Sequence, residues 1–311
     1  MRYFFDHSKF NNFSLYEENK LPPRAYFVPF GSLDECKACS SYLDERYSSK
    51  LLTVLNGKWD FAYFKQINDM PASIDTYDYK FGDIKVPGCW QFQGFEPPVY
   101  SNTRYLFDYH PPLVPASEGE MGRNTSISVP GPVKVYNSVG VYRKQFRLVR
   151  SKRHILTFLG VSSAVQVYVN GRYVGYSEGS HNSAEFDITD MIIDGPNEIV
   201  ALVYKWCNGT YLECQDMFRN TGIFRDVYIT SYESSYIHDY FVKTKRLDNG
   251  NWLVEVECDA VLEPKAEIFY ELYDGERLIS RNQGEKTMLG INNAKLWSAE
   301  IPHLYTLYIY I

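Results

Sequence analysis

Residues 164–176 read AVQVYVNGRYVGY. Val165, Val167 and Val169 fall on one face of an extended segment, and Gln166, Tyr168 and Asn170 on the other. Asn170-Gly171 then supplies the positive φ angles that a two-residue hairpin turn demands, and Tyr173–Tyr176 returns as a second strand. This hairpin decides the class of the fold, because the same grammar recurs on both sides of it. Asn56-Gly57 precedes Trp59, Phe61 and Tyr63, which share one strand face. Further strands are predicted at Val139–Leu148, Ile155–Leu159, Glu185–Ile188 and Glu198–Tyr204. Many short strands, turn residues between them and little helix predict an all-β jelly-roll sandwich. Around Ser231–Ser235 the pattern resets. Strands near Ile237–Lys245, Asn251–Asp259, Ala266–Tyr273 and Leu304–Ile311 predict an immunoglobulin-like β-sandwich of some eighty residues.

The division expected is an irregular N-terminal arm over 1–50, a jelly roll over 51–232 and an immunoglobulin-like sandwich over 233–311. Inside the arm, Leu21-Pro22-Pro23 suits extended chain. Ser32 to Tyr47 is predicted as a short helix, with Ser32 as N-cap and Glu35 three residues on.

The 311 residues carry 38 acids against 32 bases, spread evenly, so no basic patch argues for nucleic acid. The start, MRYFFDHSKF, lacks the apolar core of a secretory signal, and no stretch is apolar enough to span a bilayer. A cytoplasmic protein is expected, or a periplasmic one if a signal was trimmed. The six cysteines are read as reduced thiols. Cys36 and Cys39 have CxxC spacing but lack the second ligand pair of a zinc site. The histidines are scattered. Gly175-Tyr176-Ser177-Glu178-Gly179 spells G-x-S-x-G, but it ends a hairpin and no helix follows, so Ser177 is not read as a nucleophile.

Residues 211–227, YLECQDMFRNTGIFRDV, are too polar for a core strand. They read as a loop presenting Glu213, Gln215, Asp216 and Arg219, which then feeds a strand at Phe224–Ile229. Asp216 can accept from a sugar hydroxyl or ligate a hard cation. Spacing alone favours a structural carboxylate paired with Arg219 or Arg225. Asn102 lies in a Pro-rich loop and offers an amide to a hydroxyl-bearing ligand, or else makes an Asx-turn. Trp90 either stacks on a sugar face or anchors the core. Glu213 and Asp216 are three apart, whereas the two carboxyls of a glycosidase flank the scissile bond from separate strands. Cys207 and Cys214 are read as packing residues.

The run Trp206–Val227 resembles the signature W-x-D/N-G-S/T-Y-L-E-x-Q-D-M-W/F-R-x-S/T-G-I-F-R-D-V of the large β-galactosidases of glycoside hydrolase family 2, without a gap. Other stretches are similar to the family in the same order: Asn19–Tyr26, Leu55–Phe61, Val86–Gln91, Pro98–Asn102, Asn170–Ser177, Ser183–Ile188 and Leu296–Tyr305. The resemblance implies a parent that hydrolyses terminal non-reducing β-D-galactosyl bonds with retention. It implies substrate-binding roles for Asn102 and Asp216, with Asp216 also a ligand of sodium. Sodium, with or without magnesium, is expected only in the complete parent, and none on this chain. The family's two catalytic Glu belong to a TIM barrel of about 250 residues. That barrel is expected to be absent here, so no catalytic residue is assigned and this chain alone is expected to be inactive. Expected partners are the galactoside, the missing barrel and further copies of the chain, with no nucleic acid and no membrane. The alternatives are a stand-alone carbohydrate-binding module, or the same role in a β-glucuronidase or β-mannosidase.

Overall fold

A computed structural model describes residues 1–39, 45–101, 105–107, 109–120, 134–213 and 215–311. The chain divides into two compact units. One holds Met1–Pro22 and Thr53–Thr230, the other Pro23–Leu52 and Ser231–Ile311. Strands far outnumber helices in both, as the turn and alternation pattern predicts.

The first unit is organised on a seven-stranded sheet. Its spatial order is Glu17–Glu18, Arg172–Glu178, Ala164–Val169, Gly195–Tyr204, Val139–Leu148, Gly57–Phe64 and Gly82–Val86. The Asn170-Gly171 hairpin is present, with Asn170 and Gly171 both at positive φ. Strands Val139–Leu148 and Gly195–Tyr204 pair over ten residues, from Val139 opposite Tyr204 to Leu148 opposite Gly195. A second sheet orders Ala184–Asp187, Arg153–Phe158, Val227–Tyr232 and Leu52–Val54.

Val165, Val167 and Val169 join Trp59, Phe61, Trp90 and Phe186 in one core. The opposite face is also buried. Gln166 and Tyr168 are covered, and Tyr168 packs in a second core with Tyr3, Phe10, Val141, Leu202 and Tyr204. Residues 1–22 are therefore more than an extended arm. Tyr3 donates to Glu198 at 2.7 Å, Gln166 donates its amide to the Asp6 carbonyl, and Phe10 stacks on Tyr204. This explains why the strand Glu198–Tyr204, EIVALVY, is apolar at consecutive positions: both its faces are covered.

The second unit has two three-stranded sheets. One orders Tyr236–Arg246, Trp252–Val261 and Lys286–Ile291, the other Arg277–Gln283, Phe269–Asp274 and Thr306–Tyr310. Val254, Val256, Ile268, Tyr270, Leu272 and Leu289 fill its core. Ser32 caps a helix over Leu33–Ala38, accepting from the Glu35 amide at 3.1 Å. The rest of the helix expected towards Tyr47 falls partly on residues 40–44, outside those described. Among the described residues, no helix is long and apolar enough to cross a membrane.

Candidate functional site

The loop that follows the Gly195–Tyr204 strand carries most of the polar groups singled out in the sequence. Thr210 closes its first turn by accepting from the Cys207 amide at 3.0 Å, and a single helical turn runs over Thr210–Glu213. The chain then reverses into Met217–Phe218, which pairs antiparallel with Tyr100–Ser101. That short ladder sets Met217 opposite Ser101 and Phe218 opposite Tyr100, with the two rings 5.7 Å apart.

Asp216 stands exposed at the start of this ladder. Its carboxylate accepts from the Tyr100 hydroxyl, and that hydrogen bond raises the phenol's pKa. Among the described residues Asp216 makes no ion pair with Arg219 or Arg225, so the structural pairing favoured by spacing does not form. Arg219 donates instead to the Ser101 and Gln215 carbonyls, and Arg225 to those of Leu159 and His181. Asn102, the residue after Ser101, lies outside the described residues, as does Cys214.

Several alternatives close. Trp90 is fully buried and donates to the Tyr142 hydroxyl at 2.6 Å, so it anchors the core and does not stack on a ligand. Ser177 is buried within its strand. Both oxygens of Glu213 are taken by Ser180, from its amide and its hydroxyl, each at 2.6 Å. Glu213 is thus a structural acceptor, and the Glu213–Asp216 pair is no catalytic dyad. The strand expected at Phe224 begins only at Val227. There the Val227 amide donates to the Asn56 side chain at 3.0 Å, and the Asn56 amide holds Asp226 at 2.8 Å.

A cavity of about 180 Å³ lies on the inner side of the loop. Aromatic rings of Phe107, Trp206, Phe218 and Phe224 line it, together with His181, Lys205 and Arg219. Arg219 Nε and Asn220 Oδ1 are buried there without a partner. Apolar rings beside unspent donors and acceptors are what a small hydroxyl-bearing ligand needs.

Two buried carboxylates support these walls, and sequence reading missed both roles. Glu96 accepts from Lys205 Nζ at 2.6 Å, Tyr63 at 2.7 Å, Ser138 at 2.5 Å and Gln91 at 3.0 Å. Burial pushes its pKa up, but the Lys205 ammonium and these donors outweigh that and hold the carboxyl below its ordinary range. Glu178 has no such cation. Burial pushes it up to about 7, and repulsion from Glu213 adds to the rise. The Tyr176 hydroxyl, the Cys207 thiol and the Gly209 amide lower it only in part.

A raised folded-state pKa means that the stabilisation is fully present below the unfolded value of 4.5 and is gone once pH passes about 7. Glu178→Gln is therefore expected to match the native chain at pH 4.5 and to exceed it by about 1–3 kcal/mol at pH 8. Urea unfolding at the two pH values measures this. Equal shifts at both would contradict it.

A hard cation takes six or more oxygen ligands. Asp216 brings one carboxylate, and among the described residues no group of three or more His, Cys, Asp or Glu side chains gathers to hold a metal. Asp216 would supply one carboxylate to such an ion, and the remaining oxygens would have to come from other groups.

Comparison with known proteins agrees with this architecture. The model for the family described as "Glycosyl hydrolases family 2, sugar binding domain" matches residues 52–232, and that for "Glycosyl hydrolases family 2" matches 235–311. The chain is 36% identical over 299 residues to a beta-galactosidase of Actinobacillus pleuropneumoniae, covering 94% of this chain and 27% of that protein. It is 33% identical over 306 residues to a beta-galactosidase of Staphylococcus xylosus, covering 96% and 28%. It thus spans about a quarter of the length of these curated relatives. A b-glucuronidase from Ruminococcus gnavus superposes with a TM-score of 0.58 at 19% identity, over 84% of this chain and 42% of that one, which shows the fold alone. With both sandwiches matched, the chain belongs to glycosyl hydrolases family 2.

Proposed function

We propose that this chain is the sugar-positioning, non-catalytic part of a retaining β-galactosidase. The observation that carries the reading is the Tyr100–Ser101 ladder with Met217–Phe218. It holds Asp216 exposed, with one carboxylate oxygen on Tyr100, beside the strand that leads to Asn102. In this reading Asp216 and Asn102 hydrogen-bond hydroxyls of a terminal galactosyl residue. The acid/base and nucleophile carboxylates come from another part of a longer enzyme. Retaining hydrolysis needs two carboxyls about 5 Å apart, and the acids of this loop are already engaged by Ser180 and Tyr100. The relatives' greater length supports the division of labour. So does the exposed apolar run Leu296, Trp297, Ile301 and Leu304, which suits a surface covered in a larger assembly.

The full-length protein containing these residues is expected to hydrolyse nitrophenyl β-galactoside in preference to the β-glucuronide. The 311-residue chain alone is expected to show no turnover above buffer. In the full-length protein, Asp216→Ala should lower kcat/KM by about 10- to 100-fold, the size of a lost charge-assisted hydrogen bond to substrate. Preference for the glucuronide, or an Asp216→Ala enzyme of native efficiency, would sink the proposal. A second reading, a carbohydrate-binding module, is favoured by the aromatic cavity and its unpartnered Arg219 and Asn220 atoms. Saturable galactose heats from the isolated chain in calorimetry would select it.

A further inference from the structure

Two loops of the first unit are tied by a reciprocal pair of carboxylates. Glu178, at the end of the Arg172–Glu178 strand, accepts from the Gly209 amide at 2.9 Å. Glu213, four residues beyond Gly209, reaches back to the Ser180 amide and hydroxyl. Each loop thus offers one acid and receives the other. The approach at Gly209 is close: a Cβ there would meet Glu178 Oε2 at 2.7 Å and push the carboxylate aside. Asp216 lies three residues past Glu213 in the chain, between this tie and the Met217–Phe218 ladder.

We infer that Glu178 and Glu213 are positioning residues that form a proton-gated clasp on the loop carrying Asp216, closed at mildly acidic pH and loosened at neutral pH.

The groups facing Glu178 decide the direction. On its own strand the Tyr176 hydroxyl donates to Oε1 at 2.7 Å. From the loop come the Cys207 thiol and the Gly209 amide, and from the helical turn the Glu213 carboxylate. Among the described residues no lysine or arginine pairs with either acid. A neutral Glu178 satisfies the site: one oxygen still accepts from Gly209, and its own O–H donates to Tyr176, whose hydroxyl can accept. A charged Glu178 is buried beside a second carboxylate, and opening the loop to water relieves both costs. The closed state holds its proton up to about pH 7, and a hydrated Glu releases it near 4.5. Closure is therefore favoured below that window and weakens across it. The inference rests on the role proposed for Asp216, but the two fail separately, because loop opening can be read without any sugar.

The test is amide hydrogen exchange of residues 209–217 from pH 5 to pH 8, corrected for the intrinsic pH dependence of exchange. In the native chain, protection should fall at least about tenfold between pH 5 and 7.5 and level off above. Glu178→Gln should keep the loop protected with no such slope, since the amide accepts from Gly209 and never ionises. Ser180→Ala, which removes one partner of Glu213, should speed exchange at every pH and leave the slope in place. A flat profile in the native chain, or the same slope in Glu178→Gln, overturns the clasp. A galactosidase indifferent to Asp216→Ala would count against the sugar assignment alone.

Discussion

Lys205→Met is expected to destabilise the first unit by about 3–5 kcal/mol at pH 7.5, the cost of leaving a buried charge without its partner. Lys205 and Glu96 have side chains only 11% and 7% exposed, so water cannot take over the role of the lost ammonium. The size of the loss should depend on pH. In the native chain Glu96 is held below its ordinary pKa, so its contribution is present above the unfolded value and disappears as pH falls through the folded one. In the variant the bare carboxylate titrates upward and is neutralised by mild acid. The gap between the two proteins should therefore narrow between pH 7.5 and pH 4.5. Adding Glu96→Gln should recover a large part of the loss at pH 7.5, because the charge is then gone as well. Urea unfolding of the single and double variants tests this. A Lys205→Met penalty under about 1 kcal/mol would show that the pair is not holding the network.

Trp90→Ala should cost a further 3–5 kcal/mol or so by a different route, the opening of a cavity in a close-packed core. The indole packs against Phe61 at 6.1 Å and Tyr63 at 5.7 Å between ring centroids. Two glycines make room for it. A Cβ at Gly140 would meet Phe61 and Trp90 at 2.6 Å, and one at Gly222 would meet the Gly88 carbonyl at 2.7 Å and Trp90 at 3.3 Å. The Trp90 amide also donates to the Thr221 carbonyl at 2.8 Å, so the ring is keyed to the segment that leaves the candidate loop. Trp90→Phe keeps part of the volume but removes the donor to Tyr142, and should lose roughly half as much. Thermal unfolding should show a drop of about ten degrees for Trp90→Ala. A change of a degree or two would mean that the core collapses to fill the space.

The parts of this fold that were legible in the sequence are those with local causes. Asn170-Gly171 sets its own turn, and the Val165, Val167, Val169 alternation needs only the pleat of a strand. Lys286–Ile291 is not legible as a strand although Thr287, Leu289 and Ile291 alternate inward, because its outward residues include a lysine and a glycine. Arg277–Gln283 has no inward period to read. The burial of Gln166 and Tyr168 depends on residues 1–22 folding over them, and no pattern within their own strand reports that. The site divides in the same way. Asp216 is legible as a polar residue in a loop, and the role proposed for it rests on resemblance, not spacing. Glu96 and Lys205 are 109 positions apart, and Glu178 and Gly209 are 31 apart. No window of sequence contains either pair. Glu213 is legible by its charge, while its use as a double acceptor for Ser180 depends on two loops meeting in the fold.

The two-residue strand Glu17–Glu18 has a consequence for the protein in concentrated solution. It covers the outer edge of Arg172–Glu178, where Gly175 lets the backbone approach closely. A free edge of that length is a template on which another chain can add a strand, the first step towards fibrils. Here the final strand is too short to continue the ladder and carries two acids, tied to Lys20 at 2.5 Å and to Lys9 at 2.7 Å. The N-terminal segment thus works as a selvedge on this side of the sheet, whose other edge is the Gly82–Val86 strand.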